Sequence, residues 1–127
     1  MSIEENKAIV RRWIEELNQG NLAVLDELSA SNYVGHVAGT EDVRGPEAHK
    51  QALARGFAAF PDHHFTVEDI VGEGDKVVTR VTVTGTQQGE FEGVAPTGKQ
   101  ATMKGMVMHR IEGGKIVEEW EVWVGGA

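Results

Sequence analysis

The chain has no cysteine, only three prolines, a single tyrosine and no apolar run of membrane-spanning length. Each shortage removes a class of explanation. Without cysteine, neither a disulfide framework nor a thiolate metal site can form. Without roughly 20 consecutive apolar residues there is no helical membrane span to expect. Positive charge is scarce too: 12 Lys and Arg stand against 20 Asp and Glu, a net charge of −8. Nucleic acid requires a basic face, and anionic membrane surfaces repel an acidic chain, so neither is an expected partner. The opening MSIEENK is polar and acidic, unlike a secretory leader, and the expected compartment is the cytoplasm. With no repeat, linker or low-complexity segment, residues 1–127 read as one domain with enough apolar content for one core.

What is present changes period along the chain. Ser2 followed by Glu5 spells a capping box. Ile9, Trp13 and Leu17, flanked by Val10 and Ile14, then recur at helical spacing until Gly20. Asn21 is the expected N-cap of a short second helix carrying Leu22, Leu25 and Leu28. Asn32 to Ala38 reads as a strand or extended arm. Gly45-Pro46 opens a third helix, which turns Ala52, Leu53, Phe57 and Phe60 inward and ends before Pro61. From His63 the period becomes two, and four strands follow with short connections, except for a Gly/Pro/Thr-rich excursion around Gly93–Lys99. Helices first and strands last indicate α+β: three N-terminal helices on a curved antiparallel sheet, closing a cone-shaped barrel.

Several positions in this plan can carry chemistry. Arg80 interrupts a Val/Thr strand and shares a face with Val78, Thr82 and Thr84. Facing the cone, it would be a buried guanidinium able to orient an anionic or carbonyl substrate; facing out, a solvated or interface arginine. Strand parity alone does not choose between them. Tyr33 and His36 sit on the NYVGH arm, where a phenol and an imidazole can serve as donor and general acid–base, or simply pack and cap. His109 is a further candidate. Glu118 shares its parity with Trp120 and Val122; in an apolar wall its pKa would rise and it could act as acid or base, leaving Glu119 and Glu121 solvated. Trp13, Phe57, Phe60, Met103, Met106, Met108 and Trp120 can wall a cavity for a flat hydrophobic ligand, or serve as core. No His/Asp/Glu cluster has metal-ligand spacing, and only one of His63 and His64 can point inward. Gly72-x-Gly74 leads into a strand and is no dinucleotide loop, and no serine lies in a nucleophile elbow.

Three segments in order, EGDKVVTR, GT-x-x-GEFEGVAPTGK and R-x-x-GGKIVEEW, together with NYVxH, G-P-E and FPD, resemble the SnoaL-like polyketide cyclase/ester cyclase family of the nuclear-transport-factor-like superfamily. The resemblance spans nearly the whole chain. It implies a homodimer, often formed through the sheet, and a hydrophobic pocket between helices and sheet. It also implies an intramolecular aldol-type closure without metal or cofactor, using a last-strand Asp helped by a pocket His. In the W-D-x-x-D pattern of many relatives this chain has Glu121 and Val124, and Arg80-Val81-Thr82 lacks the Arg-x-Asp of a related epoxide hydrolase pattern.

Two functions of different class follow. One is a cofactor-independent cyclase, isomerase or hydratase acting on a small hydrophobic carbonyl compound through an enolate. His36 or His109 would be the base, and Arg80 or Tyr33 would stabilise the oxyanion. The other is a binding or dimerisation module that kept the cone and lost the last-strand Asp. An ionisable group on the wall of an apolar cavity discriminates between them.

Overall fold

In the computed structural model, which describes residues 1–126, the helices come first and the sheet last, in the order the pattern requires. Helix α1 (Ile3–Asn18) begins with the expected box: Ser2 Oγ accepts the Glu5 N–H at 3.1 Å, and the Ser2 N–H donates to Glu5 Oε1 at 2.9 Å. It buries Val10, Trp13, Ile14 and Leu17. Gly20, at φ 74°, turns the chain away in a conformation that costs any residue with a Cβ. Helix α2 (Val24–Leu28) starts later than expected. Asn21 Oδ1 accepts the Ala23 N–H at 3.2 Å and makes a side-chain turn ahead of the helix, so Ala23 takes the N-cap position. Helix α3 (Pro46–Ala59) begins at Gly45-Pro46 as the sequence requires.

Six strands form one sheet: β1 (Ser29–Val37), β2 (Val43–Arg44), β3 (His64–Glu73), β4 (Lys76–Thr86), β5 (Gln100–Glu112) and β6 (Lys115–Gly126), in the order β2-β1-β6-β5-β4-β3. Two details depart from an all-antiparallel barrel. The β1–β6 pair is parallel, Val34 to Val37 lying beside Glu118 to Glu121; α3 and four strands, β2 to β5, intervene before the chain returns alongside β1. The sheet also stays open, with the two-residue β2 and β3 at its edges. It is a mixed, curved sheet with helices on one face, close to the cone expected but not closed.

Helix α1 covers part of the β3 edge. The Asn18 amide donates to Phe65 O at 2.9 Å and accepts the Phe65 N–H at 2.7 Å, imitating the next strand in the ladder. One core lies between helices and sheet, built on Val10, Trp13, Leu17, Leu25, Tyr33, Val77, Ile111 and Ile116. Burying a side chain of this size contributes about 1.5–3 kcal/mol, so the helical layer is held mainly by this seam. No helix among the described residues is long and apolar enough to cross a membrane.

Candidate functional site

Alternation along β6 decides what the site contains. Val117, Glu119, Glu121 and Trp123 belong to one face, Glu118, Trp120, Val122 and Val124 to the other. The helices cover the first. Glu119 is only 3% exposed, whereas Val122 is 57% exposed. Opposite Glu119 on β5 stands His109, equally buried, with Nε2 3.5 Å from Glu119 Oε2. The Trp123 indole N–H donates to Glu121 Oε1 at 3.0 Å. That indole needs Gly105 across from it on β5, since a Cβ there would fall 2.4 Å from the ring.

Glu121 also forms part of the wall of a cavity of about 330 Å³ between α3 and the sheet. Most of the wall is apolar: Val37, Val43, Leu53, Phe57, Phe60, Phe65, Val83, Phe91 and Met103. Four ionisable groups break it, namely Tyr33, His49, His63 and Glu121. A smaller chamber of about 80 Å³ lies deeper and holds Trp13, His109, Glu119 and Trp123; it shares His49, Leu53, Phe65 and Glu121 with the larger one.

Electrostatics in this region follow from burial. Burial, and then the neighbouring Glu121 charge, push the Glu119 carboxyl well above its ordinary value. Burial raises Glu121 as well, with the Trp123 hydrogen bond opposing. His49 is driven down to about 4 and His109 to about 3, both chiefly by burial. Both shifts in the Glu119–His109 pair run away from an ion pair and toward a contact between neutral groups. The Tyr33 phenol is raised by burial and by the two glutamates, so it stays a proton donor across the working pH range. Tyr33 stacks on His49 with ring centroids 4.7 Å apart. His63 stacks on Phe57 at 3.8 Å and donates its Nε2–H to Leu17 O at 2.7 Å, leaving Nδ1 as a buried acceptor without a partner.

The candidates read from sequence divide between the two faces. Tyr33, Phe57 and Phe60 line the large cavity, and Trp13 and His109 the inner chamber. His36, Arg80, Glu118, Met106, Met108 and Trp120 lie on the outer face, away from the helices. Arg80 is half exposed and pairs with Asp69 at 2.7 Å near the sheet edge. Glu118 accepts from His36 Nε2 at 2.6 Å and from Arg110, and these partners lower its pKa, where a place in the cavity wall would have raised it. His36 stacks on Trp120 at 5.6 Å and also meets Asp42 at 2.9 Å. The parity groupings hold, but the face given to the cone is the outer one. Glu119 and Glu121, expected in solvent, are turned inward.

Sequence reasoning misses His49 although the pattern carries a signal for it. It stands one helical turn before Leu53 and two before Phe57, on the stripe already assigned inward. Among the described residues no group of three metal-binding side chains is gathered.

Comparison with known proteins gives a consistent picture. A family model described as SnoaL-like polyketide cyclase matches residues 7–123. Among solved structures, IdmH of Streptomyces antibioticus, a polyketide cyclase candidate, is 35% identical, with 93% of this chain and 91% of that one covered and a TM-score of 0.81. AclR of Streptomyces galilaeus, a hydroxylase candidate, is 32% identical over 97% and 91% of the two chains, with a TM-score of 0.88. A SnoaL-like polyketide cyclase candidate from Jannaschia sp. CCS1 is 26% identical over 97% and 88%, with a TM-score of 0.89. Curated proteins offer no match.

Proposed function

Because the chain belongs to the SnoaL-like polyketide cyclase family, we propose that it is a cofactor-independent enzyme that moves a proton on a small, neutral, hydrophobic carbonyl compound. The observation carrying this reading is a carboxyl, Glu121, in the wall of an otherwise apolar cavity that also holds a phenol and two imidazoles. Glu121 is the general base. Its raised pKa brings it nearer the pH at which it works, and a dry wall strengthens its pull on a carbon-bound proton. Tyr33, protonated throughout, is the donor for the enolate oxygen. His36 and Arg80 lie across the sheet and take no part. The lining includes neither lysine nor arginine, so an anionic ligand would meet Glu121 uncompensated, and a neutral one fits.

An enolate formed here closes a ring when a second carbonyl of the same molecule lies within reach. The likeness to AclR, a hydroxylase candidate, makes oxygenation of the same carbon the second reading: the enolate carbon adds to dioxygen taken from solution, and one proton completes the α-hydroperoxide. Both begin with proton removal, so the test reads that step alone. The protein is incubated in D₂O with 1-tetralone and related flat ketones, and α-proton exchange is followed by NMR. Acceleration over buffer that falls about 100-fold in Glu121→Gln supports the reading. No acceleration with any ketone of the series sinks it.

An exposed apolar patch on the outer face supports the second copy that the resemblance implies. Met106 and Val122, paired in register, are 56% and 57% exposed, and Val124 is 66% exposed. We assign this patch to a homodimer contact, to be checked by sedimentation of the wild type and of Val122→Asp.

A further inference from the structure

The connection between β4 and β5, residues 87–99, is held by one side chain. Gln87 is 5% exposed although it sits in a loop. Its Nε2 lies 3.1 Å from Gly89 O, 3.0 Å from Val94 O and 3.2 Å from Ala95 O, so its two N–H groups serve three carbonyls. Its Oε1 accepts from Thr97 Oγ1 at 3.5 Å. The Gln87 backbone donates to Lys99 O at 3.1 Å and accepts from the Gly98 N–H at 3.0 Å. Backbone carbonyls need partners, and apart from the Phe91–Val94 exchange no strand pairing supplies them within this loop.

The loop then docks on the end of α3. The N–H groups of Gln88 and Gly89 both donate to Ala59 O, at 2.8 and 3.2 Å. Its tip is a tight hairpin in which Phe91 and Val94 exchange backbone hydrogen bonds across Glu92 and Gly93, both at positive φ. This geometry delivers Phe91 edge-on to Phe60, centroids 5.6 Å apart, where both rings line the large cavity. Val94 on the same tip is 56% exposed, so the loop has little apolar packing of its own to set its shape.

We propose that Gln87 is a positioning residue for ligand selection: its buried amide fixes the 87–99 loop so that Phe91 stands as a rigid wall of the cavity. This rests on the reading that the cavity takes a flat hydrophobic ligand. A pre-set ring costs no ordering entropy when the ligand arrives, and its position limits the width of what fits.

The test pairs Gln87→Glu, isosteric but presenting an acceptor to three carbonyls, with Phe91→Ala. Hydrogen exchange is read at Phe91, Val94 and Gly98, and affinity with the neutral fluorophore N-phenyl-1-naphthylamine. Gln87→Glu speeds exchange at the loop amides about 10-fold or more and leaves Val107 and Ile116 unchanged. It weakens the probe about 5- to 10-fold, mainly through faster dissociation. Phe91→Ala weakens the probe similarly without loosening Gly98, and the double variant is no worse than the weaker single one. If Gln87→Glu unsettles the core amides as well, Gln87→Asn, one methylene shorter, gives the same reading. Unchanged loop exchange overturns the proposal, as does unchanged probe affinity in a loosened loop. A wild-type chain that binds no neutral probe overturns the cavity reading itself, which is a different result from a probe that binds indifferently to Gln87.

Discussion

The two faces of β5 and β6 are built from alternate residues of the same segments, and they carry opposite chemistry. Inward, His109, Glu119 and Glu121 lie against Trp13, Tyr33 and Trp123, and burial works against their charges. Outward, Arg110, Glu118 and His36 form a charged, partly solvated network beside Trp120 and Met108. A neighbouring pair, Glu118 and Glu119, therefore titrates in opposite directions: one lowered by its hydrogen bonds, the other raised by its surroundings. A carboxyl's capacity for proton transfer is set by the side of the strand it occupies, not by its place in the string EEWEVW.

The sharpest way to break this contrast is to exchange carboxyl for amide on each face in turn. Glu121→Gln is expected to cost about 100-fold or more in ketone α-proton exchange, and Glu118→Gln less than twofold. The wild-type rate rises with pH through the raised Glu121 pKa, because the base must be ionised. An equal loss from both substitutions would mean that the faces share one proton path.

Stability against pH probes the inner face by itself, through two groups whose shifts carry opposite signs. The folded-state pKa of His49 is about 4 against an ordinary 6.5, so the native state resists protonation. Its contribution is fully present above about pH 6.5 and is lost as pH falls toward 4, amounting to about 3 kcal/mol over that range. His49→Phe keeps a ring against Tyr33 and should flatten the acid limb of a denaturant titration by about that amount. Glu119 has the opposite sign. Its raised pKa favours the folded state at low pH, and that advantage is lost as pH rises above the ordinary carboxyl value. Glu119→Gln should therefore gain stability relative to the wild type as pH climbs from 4.5, measured by the same titration.

The outer face has a test of its own. Val122→Asp is expected to halve the sedimenting mass at micromolar concentration while ketone exchange persists in the monomer. A chain monomeric before the substitution removes the dimer assignment and leaves the inner site untouched.

The sequence made the elements legible for physical reasons. Ser2 and Glu5 declared a cap, Gly45-Pro46 a helix start, and Arg80, Thr82 and Thr84 a shared strand face. Parity also separated Glu118 and Trp120 from Glu119 and Glu121. What it did not reveal was which class faces the helices, and hydrophobicity pointed the wrong way. The outward class of β6 contains Trp120, Val122 and Val124, whereas the inward class carries two carboxyls. A polar site buried inside and an apolar patch displayed outside invert the usual rule. The parallel pairing of β1 with β6 was likewise hidden, since it depends on where a distant strand returns. Glu121 matches the family's last-strand position by sequence, but only its place in the cavity wall, beside the buried Glu119, shows that it points inward.

The smallest expected effect belongs to the outer His36–Glu118 pair. Glu118 first, and Asp42 next, raise the His36 pKa, and His36 lowers that of Glu118. The histidine's contribution is present below its ordinary pKa and fades as pH rises through the elevated value; that of Glu118 is present above about 4.5 and fades as pH falls. The pair is therefore strongest between roughly pH 4.5 and 6.5. Both groups are partly solvated, so salt screens the pair and its worth is about 1 kcal/mol or less. His36→Gln should lower the midpoint of thermal unfolding by a few degrees at most, less in 0.5 M NaCl, and leave ketone exchange unchanged. A large loss of exchange from this substitution would carry more weight than the small stability change. It would show that a group on the solvated face controls the buried one, and the separation of the two faces would have to be given up.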